Sequence, residues 1–222
     1  MTADRETFQQ RLALIERHRS PGRLLDVGCT IGTFMQESIK RGWNAVGLEP
    51  NPAACRYARE AGLSVVEGFL SKESWDQLGR DFDVVHMGDV LEHVANPQEA
   101  VRVAASGLKR GGLLSITTPD FESFVARKFQ VKPFEHLFYF TEKTLSNLLT
   151  RCGLHIEVLI HTTRRRDLKS VSLGTTRVGP GLQFLINGAQ ALGLVNALSW
   201  ICAWLIRDEL FVLARRPEGS AQ

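Results

Sequence analysis

The sequence predicts a doubly wound α/β domain: a seven-stranded, mostly parallel sheet with helices on both faces and a helical insertion before the last strand. Three observations predict it. Short apolar runs alternate with longer amphipathic stretches, the pattern of a parallel sheet covered on both sides. The first run leads into a glycine-containing turn and then a helix. The second ends in an acid, Glu49. Ligands of doubly wound sheets bind beyond the carboxyl ends of the strands, near the switch point, and both features fall there.

The elements follow in order. Phe8, Leu12 and Ile15 are spaced i, i+4, i+7, so an amphipathic helix is predicted to end near Arg19, where Ser20-Pro21-Gly22 stops it. Residues 24–27 form the first strand and 31–41 the helix after the turn. Residues 44–48 form the second strand. Asn51 before Pro52 supplies an N-cap and a first-turn proline, which starts a helix to about Ala61. Residues 63–66 and 82–87 are the third and fourth strands. Asn96-Pro97 repeats the cap signal, and Gly111-Gly112 is expected to end that helix before a fifth strand over 113–117. Residues 141–151 are helical, with Gly153 past the end; 156–160 and 210–214 are the last strands. No crossover unit separates these two, apart from the unusual stretch 162–208.

The 222 residues fit a single domain, 1–222, with 162–208 as its insertion. With 44% hydrophobic and 23% charged residues the composition is that of a folded globular protein, which argues against disorder. A net charge of +3 is too small to imply nucleic acid, and none is expected as a partner. The basic excess sits in one segment, Arg164, Arg165, Arg166, Lys169 and Arg177. Cys29, Cys55, Cys152 and Cys202 show no C-x-x-C spacing, which argues against a zinc finger or disulfide framework. The N-terminus carries Asp4, Arg5 and Glu6 and no apolar run, so no signal peptide is expected, and residence is expected to be cytoplasmic.

The turn reads Asp26-Val27-Gly28-Cys29-Thr30-Ile31-Gly32. Glycine lets a ligand approach the backbone, and the following helix offers unpaired N–H groups to a carboxylate. Glu49 could accept bonds from both hydroxyls of a ribose. A dinucleotide fingerprint would need G-x-G-x-x-G, but starting from Gly28 the other two positions hold Thr30 and Thr33. That disfavours a nicotinamide oxidoreductase.

Three further stretches carry a resemblance. They are Phe82 to Val94, Leu108 to Leu114 and Glu135 to Thr141, the last reading Glu135-His136-Leu137-Phe138-Tyr139-Phe140-Thr141. With the turn, their order and separations over residues 23–160 resemble the class I S-adenosylmethionine-dependent methyltransferases. The 135–141 loop resembles that of the ubiquinone-biosynthesis O-methyltransferase branch. The resemblance implies S-adenosylmethionine as cofactor and a Rossmann-like fold. Asp26, Gly28, Thr30 and Gly32 would shape the pocket for its methionine part, Glu49 would hold the ribose, and Asp89 would lie beside the sulfonium. Two departures stand out. The family usually has glycine at the position of Thr30, and after the third strand its adenine-binding aspartate is missing. Phe69 follows there, read either as packing on the adenine ring or as an ordinary core residue.

Methyl transfer from a sulfonium is an in-line displacement whose main demand is positioning. An amine can attack unaided, whereas a phenol or alcohol is better served by a base, and histidine suits that near neutral pH. His136 and His93 are the candidate catalytic residues; a structural hydrogen bond is the alternative for His93 and a loop anchor for His136. His18, His86, His155 and His161 are read as structural or exposed. Asp89, Glu92, His93 and His136 also resemble a divalent-ion set of some RNA-terminal methyltransferases. Asp89 stands there for a glutamate, with a shorter arm, and no metal is assigned.

Residues 182–206 carry no charge over a length on the order of a bilayer span. The flanking strands belong to one sheet, so both ends stay on one side and a single crossing is excluded. Short, weakly polar helices capping the site or dipping into a membrane surface fit better, with packing on the domain as the alternative. The basic run beside them could meet anionic headgroups, giving a peripheral membrane contact through 164–206. The expected function is therefore methyl transfer, to oxygen, on a small-molecule or lipid-linked acceptor. Alternatives are N- or C-methylation of another small molecule or saccharide, and a cofactor-binding module without catalysis.

Overall fold

The computed structural model describes residues 3–123, 126–127, 131–163 and 207–219. Its elements are α1 (Ala3–Glu16), β1 (Arg23–Val27), α2 (Thr33–Lys40), β2 (Asn44–Glu49), α3 (Pro52–Glu60), β3 (Val65–Glu67), α4 (Trp75–Leu78), β4 (Phe82–Gly88), a 3₁₀ turn (Leu91–His93) and α5 (Pro97–Gly107). β5 (Leu108–Pro119), α6 (Glu142–Arg151), β6 (His155–Thr162) and β7 (Glu209–Arg215) complete it. The seven strands form one sheet in the order β3-β2-β1-β4-β5-β7-β6. β1 to β5 are parallel, while β7 runs antiparallel between β5 and β6. The order reverses between β1 and β4. That reversal opens a crevice at their carboxyl ends.

Both faces of the sheet are covered. Leu12, Ile15, Phe34, Met35, Cys55 and Ala58, from α1 to α3, pack on Leu24, Val84 and Leu113. On the other face Trp75, Val101, Ala104, Leu145 and Leu149, from α4 to α6, pack on Leu25, Val85, Leu114 and Val212. Consecutive strand residues thus enter opposite cores, which is why the strands read as unbroken apolar runs.

Local chemistry sets the helix starts. The Asn51 side chain accepts from Ala53 N at 2.9 Å with Pro52 at the first position, and Asn96 accepts from Glu99 N at 3.1 Å before Pro97. Thr141 and Thr144 form a reciprocal capping box on α6. Each cap satisfies amides that the helix leaves unpaired.

Several boundaries differ from the sequence reading, α1 ending at Glu16 rather than near Arg19 among them. α5 ends at Gly107, and β5 already begins at Leu108, ahead of Gly111-Gly112. A Cβ on Gly107 would lie 2.3 Å from the Trp75 ring, so the close helix-to-helix approach falls there. Phe82 pairs with Leu108 before a register shift, and Arg216 donates to the carbonyls of Ala105, Ser106 and Leu108, closing the helix end. β3 is displaced to Val65–Glu67 because Leu63 leaves the sheet to pack near Gly32.

β6 and β7 are hydrogen-bonded neighbours, and Thr162 pairs with Glu209. The chain therefore leaves and re-enters the described structure at one edge, the carboxyl edge of the parallel strands. The insertion itself, with its uncharged stretch and basic run at 164–206, lies outside the described residues. Among the described residues no helix is long and apolar enough to cross a membrane.

Candidate active site at the switch point

The turn after β1 holds three residues at positive φ: Gly28 at 70°, Thr30 at 48° and Gly32 at 80°. Space explains two of them. A Cβ on Gly28 would come within 2.7 Å of Val90, and one on Gly32 within 2.1 Å of Leu63. Thr30 has no such freedom from sterics, and an L-residue in that region costs about 1–2 kcal/mol. Its N–H donates to Glu49 Oε2 at 2.9 Å. Glu49 Oε1 accepts from Asn51 N at 2.8 Å, so the carboxylate is oriented from both sides by backbone. Glu49 and Asp26 are both buried.

Burial pushes the Asp26 carboxyl up to about 8; the Glu49 charge adds to this and Arg11 opposes it. Two buried acids side by side cannot both ionise cheaply, and a cation between or beside them would relieve the strain. Asp89, at φ 54°, follows β4 across the crevice, its N–H bonded to Thr117 O at 2.9 Å. The acid-rimmed crevice with a glycine turn suits a cationic cofactor. Phe69 is 78% exposed beyond β3, which removes the core reading and leaves its ring available at the carboxyl edge.

The loop between β5 and α6 completes the site. Leu137 N and Phe138 N donate to Glu92 O at 2.8 and 3.2 Å, drawing the loop onto the 3₁₀ turn after β4. The His93 and His136 rings consequently meet edge to face, 4.8 Å between centroids. His93 Nδ1 lies 2.8 Å from Glu135 O, a carbonyl that can only accept, so Nδ1 carries the proton and Nε2 is the nitrogen left to react. His136 is 7% exposed, its Nδ1 is buried without a partner among the described residues, and burial with the neighbouring His93 and Lys132 holds its pKa below the usual imidazole value.

Beneath them lies Glu92, 2% exposed, which accepts from Thr118 Oγ1 at 3.0 Å. Burial and the Asp89 charge push its carboxyl up to about 7. One ligand atom each of Glu92, His93 and His136 can be drawn from a group lying within 4.8 Å of one another. Asp89, the fourth member of the set raised from the sequence, is outside that group.

The sequence-predicted residues thus fall at one edge of the sheet, in two clusters: Asp26, Gly28, Thr30, Gly32 and Glu49 at β1 and β2, and Asp89, His93 and His136 at β4. Glu92 was weighed only as a metal ligand. Its tie to Thr118 arises from the pairing of β4 with β5, and no local signal announces it.

A family profile described as a methyltransferase domain matches residues 2–159, most of the chain. This chain belongs to the methyltransferase domain family. The chain is similar to the ubiquinone biosynthesis O-methyltransferase of Agrobacterium fabrum, 34% identical over 100 residues, and to that of Ruegeria pomeroyi, also 34% over 100. Each match covers 43% of this chain and 40% of the relative, so the likeness spans less than half of those enzymes. Among solved structures, a SAM dependent methyltransferase from Archaeoglobus fulgidus superposes with a TM-score of 0.64 at 20% identity, covering 95% of this chain and 94% of that one. One from Mesorhizobium loti gives 0.60 at 19%, with 97% and 98% covered. At that identity the likeness establishes the fold.

Proposed function

We propose that the methyltransferase transfers its methyl group to an oxygen nucleophile on a small or lipid-linked acceptor. The observation that carries this reading is the His93–His136 pair over the switch-point crevice, with His136 Nδ1 buried and unpartnered. A reaction at nitrogen needs no such base, because the lone pair of an amine attacks unaided.

S-adenosylmethionine, when bound, supplies a methyl carbon already activated by its sulfonium. Glu49 would accept from the ribose hydroxyls, and the Asp26 to Gly32 turn would cradle the methionine part. Asp89 would face the cationic end and Phe69 would cover the adenine. The His136 imidazole would take the proton of the acceptor hydroxyl, leaving its oxygen as the nucleophile that the activated methyl group meets. His93, anchored through Nδ1, holds the loop and the second imidazole in place. Screening phenols, alcohols and amines with radiolabelled cofactor tests the reading; transfer confined to amines would overturn it.

A second reading rests on the convergence of Glu92, His93 and His136. The three could hold one divalent ion against the acceptor oxygens, a carboxylate and two imidazoles being a workable ligand set. Activity lost to a chelator and restored by one divalent ion would favour it.

The relatives named for ubiquinone biosynthesis and the basic and uncharged stretches at 164–206 support an apolar, lipid-linked acceptor met at a membrane surface. Exposed Phe134, Leu137 and Phe138 beside His136 add apolar surface at the same mouth.

A further inference from the structure

His161 sits near the end of β6, away from the crevice, and bonds two carboxylates. Its Nδ1 is 2.9 Å from Asp120 Oδ2 and its Nε2 is 3.1 Å from Glu142 Oε2. Carboxylates only accept when ionised, and a neutral imidazole has a single N–H. Both contacts together therefore require the imidazolium.

The three residues meet at a mechanically important place. Asp120 follows β5 and begins the loop that carries His136; Phe140 ends it. The two ends are closed on each other by a bridge between Asp120 and Phe140 and by Phe121 N donating to Phe140 O at 2.8 Å. Glu142 opens α6 directly after that neck. Asp120 is itself fixed: it is 3% exposed, its Oδ1 accepts from Glu122 N at 3.0 Å, and its N–H bonds Asp208 O at 3.0 Å. From the neck, Phe121 packs on Tyr139 at 4.8 Å, and Tyr139 lies 6.0 Å from the His136 ring.

We propose that Asp120, His161 and Glu142 form a proton-dependent clasp that holds the neck of the His136 loop to β6. His161 is thereby a positioning residue acting through the loop. Other charged groups of the described residues stand nearby. On β7, Glu209 is neutralised by buried Arg11 and accepts from Thr162 Oγ1, while Asp208 touches the neck through its carbonyl. Lys143 neighbours Glu142 on α6.

When His161 loses its proton, one of its two ring nitrogens turns a lone pair on a carboxylate. The buried Asp120 cannot move to water, but Glu142, 54% exposed, can. The Nε2 contact is the one that opens, and α6 with the returning arm of the loop is released from β6. The clasp closes as the pH falls and opens as it rises. Its effect on catalysis rests on the proposed role of His136; the clasp itself does not.

Amide exchange of the full chain, followed on the peptide covering residues 131–141 and corrected for intrinsic rates, tests this without any acceptor. At the acid end, protection in the wild type should exceed that in His161→Gln roughly tenfold, the worth of a hydrogen bond to a charged group, and the excess should shrink as the pH rises. His161→Gln, with one donor nitrogen, should lack this excess and keep only the pH dependence that the rest of the protein imposes. Glu142→Gln changes an exposed side chain, leaves the fold intact, and should reproduce most of that loss at the acid end. Wild type and Glu142→Gln matching at every pH would overturn the clasp. With an active acceptor in hand, kcat of His161→Gln should lose the pH dependence shared with loop protection while the cofactor KM stays put. Altered loop exchange with unaltered kcat would count against His136 and leave the clasp standing.

Discussion

Thr30 N donates to Glu49 Oε2 across 2.9 Å, joining the turn after the first strand to the end of the second. The bond makes one unit of the turn and the acid, so the carboxylate is aimed before any ligand arrives. Pre-aimed groups bind without ordering themselves in the process.

Glu49→Ala should weaken S-adenosylmethionine binding by about 1.5–3 kcal/mol, the range for hydrogen bonds to a charged group. Isothermal calorimetry measures this directly, with the demethylated product weakened alongside. NAD should give no heat. Unchanged affinity would place the ribose elsewhere.

Gly32 and Gly62 have nearly the same backbone, φ 80° and 81°, but different surroundings. A Cβ on Gly62 meets nothing within 4 Å, whereas one on Gly32 would strike Leu63. Gly62→Ala should cost about 1–2 kcal/mol for the left-handed conformation alone. Gly32→Ala should cost about 1–3 kcal/mol more through overpacking, lowering the melting temperature by roughly a further 2–12 °C. Equal melting temperatures in the two variants would show that the turn is looser than its geometry.

Asp26 and Glu92 give the empty protein a distinctive pH dependence. Their folded values of about 8 and about 7 lie above the ordinary 3.8 and 4.5. The unfolded chain therefore releases these protons first as pH rises, and stability declines from about pH 4 to about pH 8. His86, held down at about 3 by burial, works in the other direction and costs stability as pH falls below 6.5. Urea titrations of Asp26→Asn against the wild type isolate the first effect. The variant should gain relative stability toward pH 8, and parallel curves would be evidence against a protonated Asp26.

His136→Ala should slow transfer to oxygen by about a hundredfold or more, the usual worth of a general base, with cofactor affinity nearly unchanged. Single-turnover rates separate the two. A severe His93→Ala beside a mild His136→Ala would move the base to the His93 Nε2.

Membrane contact through 164–206 predicts flotation with anionic liposomes at low salt and release as salt rises. Replacing Arg164, Arg165 and Arg166 by alanine should weaken it by about 1 kcal/mol per residue near the surface while cofactor binding survives. Indifference to anionic vesicles would instead favour a soluble acceptor.

The features legible in the sequence share one property: the residues that cause them are neighbours in the chain. Asn51-Pro52 and Asn96-Pro97 start helices because a side chain caps amides two or three residues on. The apolar runs announce strands because the central strands β1, β4, β5 and β7 are buried on both faces, and the Asp26 to Gly32 turn follows the first of them. Tertiary structure decided the rest. Leu108 joins β5 because Phe82 pairs with it, and Phe69 is exposed because nothing packs over it. Glu92 becomes a raised acid through burial beside Asp89, against the opposing hydrogen bond from a hydroxyl 26 residues away. His161 reads as an unremarkable strand residue until Asp120 and Glu142, 41 and 19 positions distant, close on its two nitrogens. Periodicity and capping are short-range and survive in one dimension; hydrogen bonds and desolvation depend on which chain segments the sheet order brings together.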